Sequence, residues 1–546
     1  MAGDTRRTTG APVDRSAAPA GPPSASSPWR ACAVPPVLIA ILSAAVALPL
    51  LLAIATGSIA IPHNDAWSHS KIAEGFAATG SFDLVGWNRS ALAGQVVVLG
   101  PLGRSLVAQN LFVFALSVGA LAATFAYVDA RVDRGPAVLT TAIVAVNPES
   151  GLLSTSYMSD MPAFAALMLC LVLIDRALKS AHVGYLAAAL VVGVWGVTMR
   201  EQDLVAPVVA VAVTVVAWRG RKRLAAIALG VLAAGAVVAF ELWRRSLPFG
   251  DPPGFHPDLQ ATIDPTVQTV FTLALYVSPA VLFVARPGDW SRRVRLASLG
   301  VFALALWTAV RWDGEVFLGN YLARNGAYSA AAQGARSSVV PPWLWLALIV
   351  LACAALALAV GALLNARPRI DRVTLLVGLL LIVGTLGQAV VGQVIHGRGL
   401  LPLVPIVCMP LLLAGRRRQR GLALPSVGVL LVTTLALTAN AMAFDSARWQ
   451  AATALVESGV AASDIDAGLE WDGYHATGPA KRYSANPDAL GWHIKMFAGS
   501  RQCYLVRAAP LDDREPVSTQ AYPTYAVVGE STLWVYRHPD CARPGG

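Results

Sequence analysis

Long apolar runs alternate with short polar connectors along most of this chain. The runs lie near residues 34–58, 105–128, 136–155, 159–178, 183–199, 203–218, 223–243, 267–285, 294–310, 343–365, 373–394, 399–414 and 422–443. Most reach the length of about 18 residues that lets a helix cross a hydrocarbon core of about 30 Å. They do not alternate at every second position, as the strands of a β-barrel would. The pattern predicts an all-α polytopic membrane protein with about 13 transmembrane helices, in a domain covering residues 34–443. The first run is too long for a signal-peptide core and has no cleavage site after it, so it reads as a retained signal anchor.

The two ends break the pattern. Residues 1–33 are rich in Ala, Pro, Ser and Gly, carry four Arg and have no apolar period, which predicts a disordered tail. Residues 444–546 are polar. They open with "FDSARWQAATALVESGV", where Phe444, Trp449, Ala452, Leu455 and Val456 recur at helical spacing. Further on, "QCYLVRA" and "YAVVGESTLWVYR" read as strands, the latter a pair turning near Gly529–Ser531. This segment is expected to form a small α+β domain.

Composition agrees with a membrane protein: 56% of residues are hydrophobic and 14% charged, against about 25% charged in soluble domains. The net charge of +10 does not point to nucleic acid, because the basic residues sit in short clusters between apolar runs. The connectors "DARVDRG", "DRALKSAH", "WRGRKR", "RPGDWSRRVR", "NARPRIDR" and "GRRRQRG" each carry at least two Arg or Lys. The alternate loops, beginning with 59–104, are poorer in them. By the positive-inside rule the basic connectors and the N-terminal tail are cytoplasmic. An odd span count then puts 444–546 on the extracytoplasmic side of a bacterial plasma membrane.

Cys32, Cys170, Cys353 and Cys408 lie in or beside apolar runs and read as small hydrophobes. Cys503 and Cys541 lie in the polar segment and form a disulfide if it faces an oxidising compartment.

Chemistry gathers at the outer ends of the helices. The centres of the predicted spans lack ionisable residues, which argues against a proton-coupled transporter. "IPHNDAWSHSK" places His63, Asn64, Asp65, Trp67, His69 and Lys71 just past the first span. Glu149, Tyr157 and Asp160 bracket the turn after the third span; Arg200, Glu201, Gln202 and Asp203 follow the fifth; His396 and Arg398 precede the twelfth. One shared depth is what an interfacial active site requires.

This layout resembles the GT-C-type glycosyltransferases, multi-spanning enzymes that use a polyprenyl-phosphate sugar on the outer face. The dolichyl-phosphate-mannose-protein mannosyltransferase-like superfamily belongs to that group. The likeness covers roughly residues 34–415. "HNDAW" matches the family's acidic residue after the first span, with Asp65 in its place. "YMSDMPAFAALML" resembles its acidic, proline-containing start of the fourth span, and "TMREQ" its Arg-Glu pair at a later helix end. "HGRGLLPLVP" resembles its Arg-x-Leu-Leu-Pro-x-x-Pro motif, with Gly399 where an aromatic is common. The polar C-terminal segment is similar to that of actinobacterial members.

The resemblance implies sugar transfer to an envelope glycan, lipid or protein acceptor. Asp65 is the expected catalytic base, since a carboxylate within hydrogen-bond reach can take the acceptor proton. Arg200 and Arg398, backed by Lys71 and His396, are the expected donor-phosphate ligands, because Arg matches phosphate bidentately. Asp160 and Glu201 are expected to support them. No metal or cofactor is assigned; a divalent metal has no support beyond His63 and His69, six apart.

Plainer roles compete. Asp65 is also a good helix N-cap, "SDMP" a good helix start, and Trp67 and Trp87 good interface anchors. "NRS" at Asn88 matches a glycosylation acceptor, a pattern that arises often by chance. At the level of function, a transporter or lipid flippase predicts paired broken helices and internal repeats, which this sequence lacks. A non-catalytic envelope assembly protein predicts an occluded cavity under the first loop.

Overall fold

The structure is a computed structural model describing residues 35–86, 93–248, 259–312, 314–326, 336, 338–415, 419–480, 496–497, 502–525, 529–539 and 541. The N-terminal tail, Cys32, Trp87 and Asn88 lie outside the described residues.

In chain order the first helices are α1 (Pro36–Ala55), α2 (Ala66–Thr79), α3 (Ala93–Leu99), α4 (Leu106–Asp129), α5 (Arg134–Ala145), α6 (Pro148–Leu153), α7 (Asp160–Ser180), α8 (Val183–Val197) and α9 (Val205–Ala217). They continue with α10 (Gly220–Ser246), α11 (Leu259–Val284), α12 (Arg292–Arg311), α13 (Pro342–Ala366), α14 (Arg372–Val390), α15 (Leu403–Ala414), α16 (Arg420–Glu457) and α17 (Leu469–His475). Four strands follow or interleave: β1 (Ile465–Asp466), β2 (Tyr504–Arg507), β3 (Ser518–Thr524) and β4 (Gly529–Arg537).

The described residues are therefore mainly helical, with one small sheet and apolar helices consistent with a polytopic membrane protein. Each of the thirteen predicted runs carries a helix. Nine helices among the described residues are long and apolar enough to span a membrane: α1, α4, α7, α10, α11, α12, α13, α14 and α16. The other four are shorter, at 12 residues for α5, 15 for α8, 13 for α9 and 12 for α15. The predicted run 136–155 is broken where Pro148 follows Asn147: Asn147 is extended (ψ 134°) and caps α6 through its side chain. A residue before proline is pushed out of the helical region, so α5 cannot continue. That break turns Glu149 inward.

The helical spacing read from Phe444 onward continues the last apolar run as a single helix. No Gly or Pro interrupts the chain between Gly428 and Gly459, and α16 runs on without a break for 38 residues. At 1.5 Å per residue that is about 57 Å, well beyond a core of about 30 Å. Its last turns form the floor of the C-terminal region: Phe444, Ala447 and Ala452 pack with Val506, Leu533 and Val535 of the sheet.

The sheet has the order β1-β2-β4-β3. β1 and β2 are parallel; β2–β4 and β3–β4 are antiparallel. β2 falls where "QCYLVRA" predicts it. The hairpin does not turn at Gly529–Ser531: these residues lie inside β4, and Thr524 pairs with Gly529. Its first strand is "STQAYPT", whose Pro523 reads as a strand breaker in sequence. β3 is an edge strand, where a missing N–H costs no ladder bond. Cys503 and Cys541 form a disulfide across 38 residues, tying the start of β2 to the segment after β4.

Candidate functional site

Asp65 stands at the N-cap position of α2, yet its side chain makes no cap hydrogen bond. The preceding Asn64 has φ +53°, the left-handed region that Asn tolerates better than most residues. With this kink before it, the Asp65 carboxylate turns to the bundle, and its Oδ2 accepts from Arg398 Nη2 at 3.4 Å. The capping role is thus not the one its side chain plays.

Arg398 lies on a short 3-10 turn, Gly397–Leu400, that leads into α15. Its Nε is 3.7 Å from Asp160 Oδ1 at the start of α7, and the same oxygen pairs with Arg200 Nη2 at 2.6 Å. Arg200 follows α8 with extended backbone, φ −146° and ψ 129°. Four side chains from four distant segments thus form one chain of alternating charge: Asp65, Arg398, Asp160, Arg200.

A further carboxylate backs this chain. Glu149 Oε1 accepts from the Tyr276 hydroxyl at 3.0 Å. It sits so close to Gly397 that a Cβ there would lie 2.2 Å from it. Any side chain at Gly397, the first glycine of "HGRGL", would force the Glu149 carboxyl to move. Glu149 was visible in sequence as an outer polar residue, but nothing in its neighbourhood ties it to Arg398.

Both arginines have buried donors to spare. Arg398 Nε and Nη1, Arg200 Nε and Asp160 Oδ2 are buried and make no hydrogen bond among the described residues. Beside them lies a cavity of about 250 Å³ whose lining includes Arg200, Gln202, Gln388, Gln393, His396 and Arg398. Buried guanidinium donors without partners are costly, and a polar cavity at that point is suited to an oxyanion ligand.

His69 and His396 are neutral near pH 7. Burial pushes His69 down to about 4, opposed by the nearby Asp65. Its Nδ1 lies 3.1 Å from the Tyr157 carbonyl, which only accepts, so Nδ1 carries the proton and Nε2 is the acceptor. Burial and then Arg398 push His396 down to about 4. His396 therefore lines the cavity as a dipole, whereas the sequence expectation treated it as a cationic phosphate ligand.

One expected ligand, Lys71, and one expected supporting residue, Glu201, point elsewhere. Lys71 Nζ donates to the carbonyls of Ala476 at 2.7 Å and Gly473 at 3.4 Å, on and just after α17. Its task is to hold α2 to the C-terminal region. Glu201 lines the cavity, but its Oε1 accepts from Arg244 at 2.7 Å, not from either site arginine.

His63 is fully buried, and its Nδ1 meets Asp445 Oδ2 of α16 at 2.6 Å. Asp445 Oδ1 accepts from Arg448 at 2.8 Å, and Arg448 donates to Glu470 Oε2 at 2.9 Å. Glu470 Oε1 in turn accepts the backbone N–H of Asn64 at 3.2 Å. The network returns to the residue beside Asp65. Trp67 stacks edge-on to Phe497 at 5.5 Å and covers Gly473, where a Cβ would come within 2.4 Å of its ring. Trp67 is therefore a packing residue between α2 and α17.

No known family model matches the chain, and no curated protein does.

Proposed function

We propose that the protein is an integral membrane glycosyltransferase of GT-C type, taking a sugar from a polyprenyl-phosphate donor to an envelope acceptor on the outer face of the plasma membrane. The observation that supports this reading is the Asp65–Arg398–Asp160–Arg200 chain beside a polar cavity. A carboxylate and two cations linked by ion pairs beside a polar cavity suit transfer from a lipid phosphate.

The contacts differ in strength, and the difference is useful. Arg200 and Asp160 meet at 2.6 Å, whereas Arg398 and Asp65 meet at 3.4 Å. A donor phosphate binding the unpartnered Arg398 donors competes with the weaker contact and releases Asp65 toward the acceptor. The acceptor hydroxyl oxygen then bonds to the anomeric carbon while Asp65 takes its proton. The bond from that carbon to the phosphate oxygen breaks, and its electron pair leaves on the lipid phosphate, whose charge the arginines stabilise.

The test uses the purified full chain in lipid nanodiscs with labelled polyprenyl-monophosphate sugars and an envelope fraction as acceptor. Labelled product and released polyprenyl phosphate are expected from at least one donor, with loss in Arg398→Gln. Movement of labelled lipid or solute across vesicles, with no covalent transfer from any donor, would overturn the reading in favour of a transporter.

A further inference from the structure

A second site lies at the opposite end of the bundle. Asp160 and Asp175 both belong to α7, fifteen residues apart, so their levels differ by about 22 Å at 1.5 Å per residue. Around Asp175 is a cavity of about 490 Å³ between the end of α4, α7, α9 and the start of α14. Its walls are apolar, with Leu178, Val213, Val216 and Leu376 among them.

Its acidic groups are already engaged. Arg131 forms a two-pronged ion pair with Asp175. Its Nε also donates to Asp371 Oδ2 at 2.9 Å, and its guanidinium lies 3.7 Å over the Tyr127 ring. Asp371 further caps α14 by accepting the N–H groups of Val373 and Thr374. Lys179 and Arg372 are different: both line the cavity, both are exposed, and neither makes an ion pair among the described residues. Counting Arg131, Lys179 and Arg372 against Asp175 and Asp371 leaves the lining at +1.

We propose that this cavity binds one anionic glycerophospholipid, with its phosphate on Lys179 and Arg372 and an acyl chain along Val213, Val216 and Leu376. A basic rim over an apolar groove between membrane helices matches both halves of such a lipid. An apolar ligand leaves the two cations without a counter-charge, and a free anion leaves the walls uncovered. The site does not depend on any glycosyltransferase activity.

The test is native mass spectrometry of the full chain taken from bilayers of equal phosphatidylglycerol and phosphatidylcholine. One phosphatidylglycerol is expected to persist at energies that strip the remaining lipid. Lys179→Gln with Arg372→Gln should weaken its retention about 30-fold, the worth of two interfacial cations. Ala212→Trp, which fills the groove and keeps both cations, should remove it as well. The control Arg292→Gln with Arg293→Gln, exposed at the start of α12, should leave it in place. Equal retention of phosphatidylcholine, survival of the lipid in both site variants, or an equal loss in the control would overturn the proposal.

Discussion

Replacing Asp65 with Asn separates a catalytic carboxylate from a binding one. Asn keeps the shape and can still accept from Arg398, but it cannot take a proton. A positioned general base contributes about 10²–10⁴-fold, so kcat should fall by that factor. The effect on donor binding has the opposite sign. A unit pair at the 3.4 Å separation of Asp65 and Arg398 attracts by about 5 kcal/mol at an effective dielectric of about 20. That is a gross figure. Asp65 is one-fifth exposed (20%), and Arg398 shares its charge with Asp160. Only the part typical of a solvent-screened pair, about 1 kcal/mol, should return to a competing phosphate. Polyprenyl phosphate should therefore bind Asp65→Asn as tightly as wild type, or up to about fivefold tighter.

The assay pairs single-turnover transfer with a direct titration of polyprenyl phosphate into the same nanodiscs. Undiminished transfer would show that Asp65 is not the base. Donor-phosphate binding weakened more than about tenfold would be equally damaging, because Asp65 would then be holding the donor, and the competition inferred from the 3.4 Å contact would be wrong.

Gly397→Ala should drive Glu149 from its place, since the new Cβ would lie 2.2 Å from Oε1 and 3.0 Å from the Tyr276 hydroxyl; overpacking of this kind costs about 1–3 kcal/mol, seen as a lower thermal midpoint together with lost transfer. Glu470→Ala should destabilise the protein by about 3–5 kcal/mol, because it strips a buried partner from Arg448 and an acceptor from Asn64 N–H; Glu470→Gln keeps the second contact and should cost less, and equal midpoints for both variants would refute the clamp. Stability should decline as pH falls from about 6.5 toward 4. His69 is held neutral down to about 4, so in this window the unfolded state binds the proton first and is favoured. The full shift is worth about 3 kcal/mol, and in His69→Gln the thermal midpoint should vary less with pH across the window.

The helical architecture was legible because apolar run length is a local property: every predicted run carries a helix. Its errors have local causes too. Pro148 splits one run, and Pro523 disguises an edge strand. The charged cluster at the helix ends was legible in part. Asp65, Asp160, Arg200 and Arg398 each stand at or near the end of an apolar run, where an ionisable group is conspicuous. Lys71 and His396 were equally conspicuous, but sequence does not show where a side chain points or how deeply it is buried. Lys71 turns to backbone carbonyls of the C-terminal region, and His396 loses its charge to burial.

The C-terminal clamp was not legible, for a different physical reason. Asp445 and Arg448 are three apart in a helical stretch of a polar segment, the spacing of an ordinary surface ion pair, and nothing in their own segment distinguishes them. Their significance comes from α16 continuing without a break from its apolar part into the C-terminal region. Along this helix Asp445 reaches His63 at 2.6 Å, and Arg448 reaches Glu470, which holds the Asn64 N–H. The bundle grips Asp65 through Arg398 on one side, and the C-terminal region grips Asn64 on the other. The left-handed backbone at Asn64 is the kind of strain that persists only when its surroundings over-determine it, and here two separate parts of the chain do so.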